Sequence, residues 1–268
     1  MNKKLLMEFR IKNYIENKTI IIIGATSGLG ESLTKIFSNY KTNLIIVGKD
    51  QSKLDNLIEI CSKKNLQSII GYKVDLSSLN EVNQFCESID KKHSEISIYF
   101  YCAANNVAGK IYDIPSKEVE KITNINLTSL ILTSKTIIKI MNKNSTGHLN
   151  FIGSGASEFG IPNESLYSLT KSALDRYIES LSQELGKFIT ITKIYPNRMN
   201  SKLLKPKCYG DFSINHTNDK YENSDNVAYK IIKNLPLKKN NLYLSYNSII
   251  MKFMALFPSI LKFLLKKI

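Results

Sequence analysis

Strand-like and helix-like patterns alternate along most of this chain. Four isoleucines, Ile20 to Ile23, form a β-branched apolar run of the kind that makes a strand covered on both faces. Gly24 closes the run, and Leu33, Ile36 and Phe37 then recur at helical spacing. The couplet repeats. Asn43–Val47 predicts a second buried strand, and Ser52–Lys64 a helix with Leu54, Leu57, Ile58 and Cys61 inward. Ser68–Val74 predicts a third strand, 79–91 a helix, and Ile96–Cys102 a fourth strand. Helical signal resumes over Ser116–Lys143, with Asn126, a modest helix former, in its middle. His148–Ile152 predicts a fifth strand, Glu164–Gly186 a long amphipathic helix and Ile189–Ile194 a sixth strand. Asp225–Leu235 then predicts a helix, and Asn241–Tyr246 a last strand. Such alternation implies an α/β fold, a Rossmann-type doubly wound parallel sheet with helices on both faces. Ligands are expected at the C-terminal ends of its strands.

Three stretches fall outside this rhythm. Residues 1–17 are polar and basic, with too few apolar residues for a signal peptide, and are expected to be a short leader on the domain's outside. Residues 198–222 are irregular, and a loop of that length is usually functional, such as a lid over a site. The tail from Ser248 to Ile268 is apolar, with Lys252, Ser259, Lys262 and Lys266 along one helical stripe. Pro258 should break or kink it, and its apolar runs are too short for a spanning helix. One reading packs the tail on the domain or on a second subunit of a homo-oligomer. The other lays it in an anionic membrane surface, where it would favour a lipid-like substrate. The expected organisation is a leader over 1–17, one domain over 18–246 and a tail over 247–268.

Composition narrows the picture. A chain of 268 residues fits one large domain. Cys61, Cys86, Cys102 and Cys208 are scattered without a C-x-x-C spacing, which points to reduced thiols in the cytoplasm. His93, His148 and His216 lie far apart, so no metal site is expected. The net charge of +14 suits anionic partners, from nucleotide phosphates to the inner face of a membrane. Lys, Asn and Ile are all abundant, which suggests biased codon usage, and no nucleic-acid motif is present.

The most informative turn is Gly24 to Gly30, between the first strand and the first amphipathic helix. Gly24 permits a sharp turn, Gly28 lets the backbone approach a pyrophosphate, and Gly30 lets the helix pack close to the strand. The turn, with Ser27 and Leu29, is therefore the expected dinucleotide contact, and the helix N-terminus offers N–H groups to phosphate. At the end of the second strand, where a carboxylate would hold an adenosine 2′-hydroxyl, the chain has Gly48 and Lys49. That favours a 2′-phosphate, hence NADP(H) over NAD(H), although a small shift could bring Asp50 to the ribose. Asp75 could accept from an adenine amino group or cap the next turn. Ala103 and Ala104 are small, as needed where backbone passes a ribose.

Tyr167 and Lys171 are four apart on one helix and share a face. A neighbouring ammonium should lower the phenol's pKa, fitting Tyr167 for general acid/base work on a carbonyl/alcohol pair. Ser154 ends the preceding strand and could polarise the substrate oxygen.

With these residues the chain resembles the short-chain dehydrogenase/reductase family, in its one-domain branch. The matching positions are Gly24-x-x-x-Gly28-x-Gly30, Asp75, Asn126, Ser154, Tyr167-x-x-x-Lys171 and Pro196, across roughly 18–246. The resemblance implies a seven-stranded parallel sheet and hydride transfer between a nicotinamide and a small-molecule carbonyl or alcohol. It implies that Lys171 also binds the nicotinamide ribose, that Asn126 holds a relay water, and that Met199 and Ser201 meet the carboxamide. Departures are Tyr101-Cys102-Ala103-Ala104 where the family has Asn-Asn-Ala-Gly, Ile23 for Thr, and Asn197 for Gly. Two alternatives stand beside this reading: a non-catalytic nucleotide-binding or scaffold protein, and an epimerase or dehydratase acting on an activated sugar. Specificity should reside in 155–165 and 198–222.

Overall fold

The computed structural model describes residues 2–199, 202–213, 221–245 and 249–250. Strand β1 (Thr19–Ile23) lies inside the sheet, hydrogen-bonded to β2 (Asn43–Gly48) on one side and to β4 (Ile98–Tyr101) on the other. Beyond β2 lies β3 (Ser68–Lys73); beyond β4 lie β6 (Gly147–Ile152), β7 (Ile189–Tyr195) and β9 (Asn241–Tyr243). All seven strands are parallel, in the order β3-β2-β1-β4-β6-β7-β9. The expected Rossmann-type doubly wound sheet is the one observed. A separate pair joins β5 (Val107–Ala108) to β8 (Lys207–Cys208), which gives part of the irregular 198–222 stretch a fixed place beside the loop after β4.

The isoleucine run shows why the sheet must be covered twice. Ile20 and Ile22 enter one apolar cluster, Ile21 and Ile23 the other, and all four are fully buried. Each such side chain contributes about 1.5–3 kcal/mol relative to exposure. One face is covered by α1 (Lys3–Ile15), α2 (Gly28–Phe37), α3 (Gln51–Ser62) and α8 (Ser224–Asn234). The other is covered by α4 (Leu79–Lys92), α6 (Ser129–Lys143) and α7 (Ser165–Glu184).

Two regions differ from expectation. Most of the leader over 1–17 is helix α1, and it is part of the core: Ile11 and Ile15 are fully buried. Its Tyr14 hydroxyl lies 2.8 Å from His148 Nδ1, and His148 Nε2 lies 2.7 Å from Thr192 Oγ1. Thr192 donates to the Lys239 carbonyl, so it accepts from Nε2–H, and Tyr14 donates to Nδ1. The predicted single helix over Ser116–Lys143 is interrupted. Helix α5 (Ser116–Thr123) passes through a π turn, Asn124–Thr128, before α6 begins. Of the tail, only Ile249 and Ile250 are described, both exposed, so the membrane and subunit readings of 248–268 lie outside the described residues. Among the described residues no helix is long and apolar enough to cross a membrane.

Candidate active site

The strand order reverses between β1 and β4, and a cavity of about 890 Å³ opens there at the strands' C-terminal ends. Its walls include the residues just past each strand: Gly24 after β1, Ala103 after β4, Gly153 and Ser154 after β6, and Pro196 after β7.

The Gly-rich turn forms one end. Gly24 (φ +82°) and Gly28 (φ +51°) occupy the left-handed region that favours glycine. A Cβ on Gly30 would lie 2.2 Å from the Gly24 carbonyl oxygen, so only glycine lets α2 start this close to β1. Ser27 is the N-cap of α2 but makes no side-chain capping bond, and Ser27, Gly28 and Leu29 line the cavity. A helix start with unclaimed amides facing a cavity fits phosphate, so these residues suit a dinucleotide.

Gly48 has a role that sequence reasoning missed. A Cβ there would lie 2.5 Å from Cγ2 and 2.7 Å from Oγ1 of Thr26, which also lines the cavity. A side chain at the position that would carry a ribose-binding carboxylate would have to displace Thr26. Lys49 lines the cavity and pairs with Asp75, Nζ to Oδ2 at 2.5 Å. Asp75 also accepts from the Ser77 amide (3.0 Å) and hydroxyl (2.6 Å), so it does hold the following turn. Burial pushes its carboxyl up, but the bonds from Lys49 and Ser77 outweigh this and hold it below its ordinary value. Asp50, the other candidate for the ribose, instead caps α3 by accepting from the Lys53 amide at 3.2 Å.

Ser154, Tyr167 and Lys171 line the same cavity and meet there, Tyr167 hydrogen-bonded to Ser154 and beside Lys171. Lys171 Nζ donates to the Ile152 carbonyl at 2.9 Å and sits 5.6 Å from the centroid of the Tyr167 ring. Burial pushes the Lys171 pKa down to about 8, against the smaller opposing pull of Asp175 and Cys102. Burial pushes Tyr167 up to about 12; its hydrogen bond with Ser154 lowers the value, and the charge of Glu164 raises it. The ammonium is bonded to the Ile152 carbonyl, and desolvation of the phenolate outweighs the lowering expected from the neighbouring cation.

Asn126 sits in the π turn, a feature frequent at functional sites. Its Oδ1 accepts from the Asn105 amide (2.8 Å), and its Nδ2 donates to the Asn105 carbonyl (2.9 Å) and to Thr170 Oγ1 (3.0 Å). It therefore ties the loop after β4 to α7, one residue from Lys171. With both amide hydrogens used, a relay water has only the second lone pair of Oδ1 left on this side chain.

Of the remaining sequence candidates, Ala103 and Met199 line the cavity, Gly30 lies behind it, and Ser201 is outside the described residues. Arg198 and Glu164 also line the cavity; neither is singled out by the sequence, though both fall in the segments 155–165 and 198–222 where specificity is expected. Arg198 follows directly on the Pro196-Asn197 end of β7, a position that could have flagged it. Glu164 carries no local motif, and only the folded chain brings it here.

The family model for short chain dehydrogenase matches residues 18–208. Dehydrogenase/reductase SDR family member 7B of Xenopus tropicalis is 28% identical over 216 residues, 78% of this chain and 70% of that protein. The Danio rerio protein of the same name is 23% identical over 252 residues, 90% of this chain and 82% of that one. A short-chain dehydrogenase from Sphingobium yanoikuyae in complex with NADPH superposes with a TM-score of 0.78 at 18% identity, covering 94% and 96% of the two chains. A short chain dehydrogenase/reductase from Burkholderia phymatum in complex with NAD gives 0.77 at 13% identity, covering 90% and 93%. The folds agree, the matched segment contains the Gly-rich turn and the Tyr167/Lys171 pair, and the chain belongs to the short-chain dehydrogenase/reductase family of oxidoreductases.

Proposed function

We propose that this protein reduces a carbonyl compound to an alcohol, reversibly, with NADP(H) as redox partner. The observation that carries this reading is that Ser154, Tyr167 and Lys171 meet in the same cavity that the start of α2, without a side-chain cap, also lines. A nicotinamide bound in this cavity would supply or accept the hydride. Ser154 and Tyr167 hold the substrate oxygen. Tyr167, protonated at neutral pH because burial keeps its pKa near 12, gives that oxygen its proton. Lys171, charged below about pH 8, stabilises the phenolate left behind and donates a hydrogen bond to the nicotinamide ribose. Asn126 keeps the loop after β4 in place beside this pair and offers one lone pair to a relay water.

Similarity does not choose between the cofactors, since one related structure is a complex with NADPH and another with NAD. Support for NADP(H) comes from Gly48, which carries no carboxylate and lies against Thr26, and from Lys49, which lines the cavity. The test is a panel of carbonyl compounds with NADPH and with NADH, read at the nicotinamide absorbance. Turnover of at least one compound with a preference for NADPH is expected. Tight NADPH binding with no turnover of any compound would overturn the catalytic reading.

A further inference from the structure

Glu164 occupies the N-cap position of α7 yet caps nothing: its side chain accepts no bond from the helix amides. It lines the cavity three residues before Tyr167. Its Oε2 accepts from Asn106 Nδ2 at 2.8 Å, and Asn106 is buried on the loop after β4. That bond ties the loop to the start of α7, as does the Gly109 amide bonded to the Asn163 carbonyl at 2.8 Å. The tie needs one lone pair of one carboxylate oxygen. Its charge acts directly on the Tyr167 phenol. The remaining lone pairs of this half-buried carboxylate are open to a donor in the cavity. Glu is also not among the residues favoured at an N-cap, so helix initiation does not account for it.

We propose that Glu164 is a specificity-determining residue that accepts a hydrogen bond from the substrate, from a hydroxyl or protonated amine close to the reacting carbonyl. The inference rests on the carbonyl/alcohol reading above and names the substrate class: a donor-bearing ketone or aldehyde, neutral or cationic. Asn106 is the positioning residue that aims the carboxylate. The same charge disfavours a carboxylate substituent at that place.

The test uses the full chain, NADPH and ketones of one carbon skeleton. The carbon next to the carbonyl carries a hydroxyl, a primary amine, a carboxylate or no substituent. Wild type should prefer the hydroxyl or the amine over the plain ketone by about tenfold or more in kcat/KM, the worth of one charge-assisted hydrogen bond. The better of the two identifies the donor. Glu164→Leu should bring that ratio to within about threefold and reduce discrimination against the carboxylate. Glu164→Gln, which keeps the shape and one acceptor, should retain part of a hydroxyl preference and lose an amine preference. NADPH affinity of each variant reports that it is folded. A wild type indifferent to the substituent, or a ratio unchanged in a Glu164→Leu variant that binds NADPH, overturns the inference and leaves the carbonyl reading standing. Absence of turnover with every ketone overturns the carbonyl reading, and the inference with it.

Discussion

Lys49 and Asp75 meet at the mouth of the cavity, Nζ to Oδ2 at 2.5 Å, from the ends of two neighbouring strands. Lys49 is largely exposed, so the pair is worth about 1 kcal/mol at most. A charge-assisted bond to a phosphate is worth about 1.5–3 kcal/mol. A 2′-phosphate can therefore draw Lys49 away from Asp75. Lys49→Ala should weaken NADPH by roughly 10- to 100-fold and leave NADH within about threefold, read by cofactor titration. Equal wild-type affinity for the two cofactors would remove the basis of the assignment.

Tyr167→Phe removes the proton donor and keeps the ring that packs with Leu166 and Ile122. Turnover should fall by about 10²–10⁴-fold while NADPH still binds. A variant within a few-fold of wild type would show that another group supplies the proton.

In the proposed mechanism the Lys171 ammonium, held down to about 8 by burial, should set the alkaline limit of the reduction. As pH rises through that value the cation is lost, and with it the stabilisation of the Tyr167 phenolate. The kcat/KM for carbonyl reduction should be flat near neutrality and fall by up to about tenfold per unit above the bend. Lys171→Met should be slow at every pH, without the bend. A wild-type profile flat to pH ~10 would contradict this role.

His148 makes a separate claim on stability. Burial pushes its pKa down to about 3, and the nearby Lys238 adds to the effect. Below the ordinary value of about 6.5 the unfolded chain takes up a proton that the folded chain refuses, so stability falls as pH drops between those two values. The slope from this group is at most about 1.4 kcal/mol per pH unit. Denaturant unfolding from pH ~7 to ~5 should show a shallower pH dependence in His148→Gln than in wild type, whatever the variant's absolute stability. Equal slopes would mean that His148 is not the titrating group.

The elements that were legible in the sequence are those whose signal is local. The isoleucine run of β1, the glycines of the following turn and the four-residue spacing of Tyr167 and Lys171 all act through neighbouring backbone or one helix face. The alternation of such elements was enough to imply the sheet and the strand ends at which the cavity opens. Folding decided the rest, because burial and electrostatic fields depend on residues far apart in sequence. Helix α1 looked like a polar leader, since few of its residues meet the core, Met7, Ile11, Tyr14 and Ile15 among them, and they do so where α8 and the Thr192–Lys239 region pass beneath them. Asn126 gained its reason from Asn105, twenty-one positions away, and Gly48 from Thr26. The Tyr167 and Lys171 pKa values follow from how dry their wall is, which spacing does not encode. Glu164 turns from its helix to Asn106, fifty-eight positions away, and that contact exists only once α7 and the loop after β4 are packed side by side.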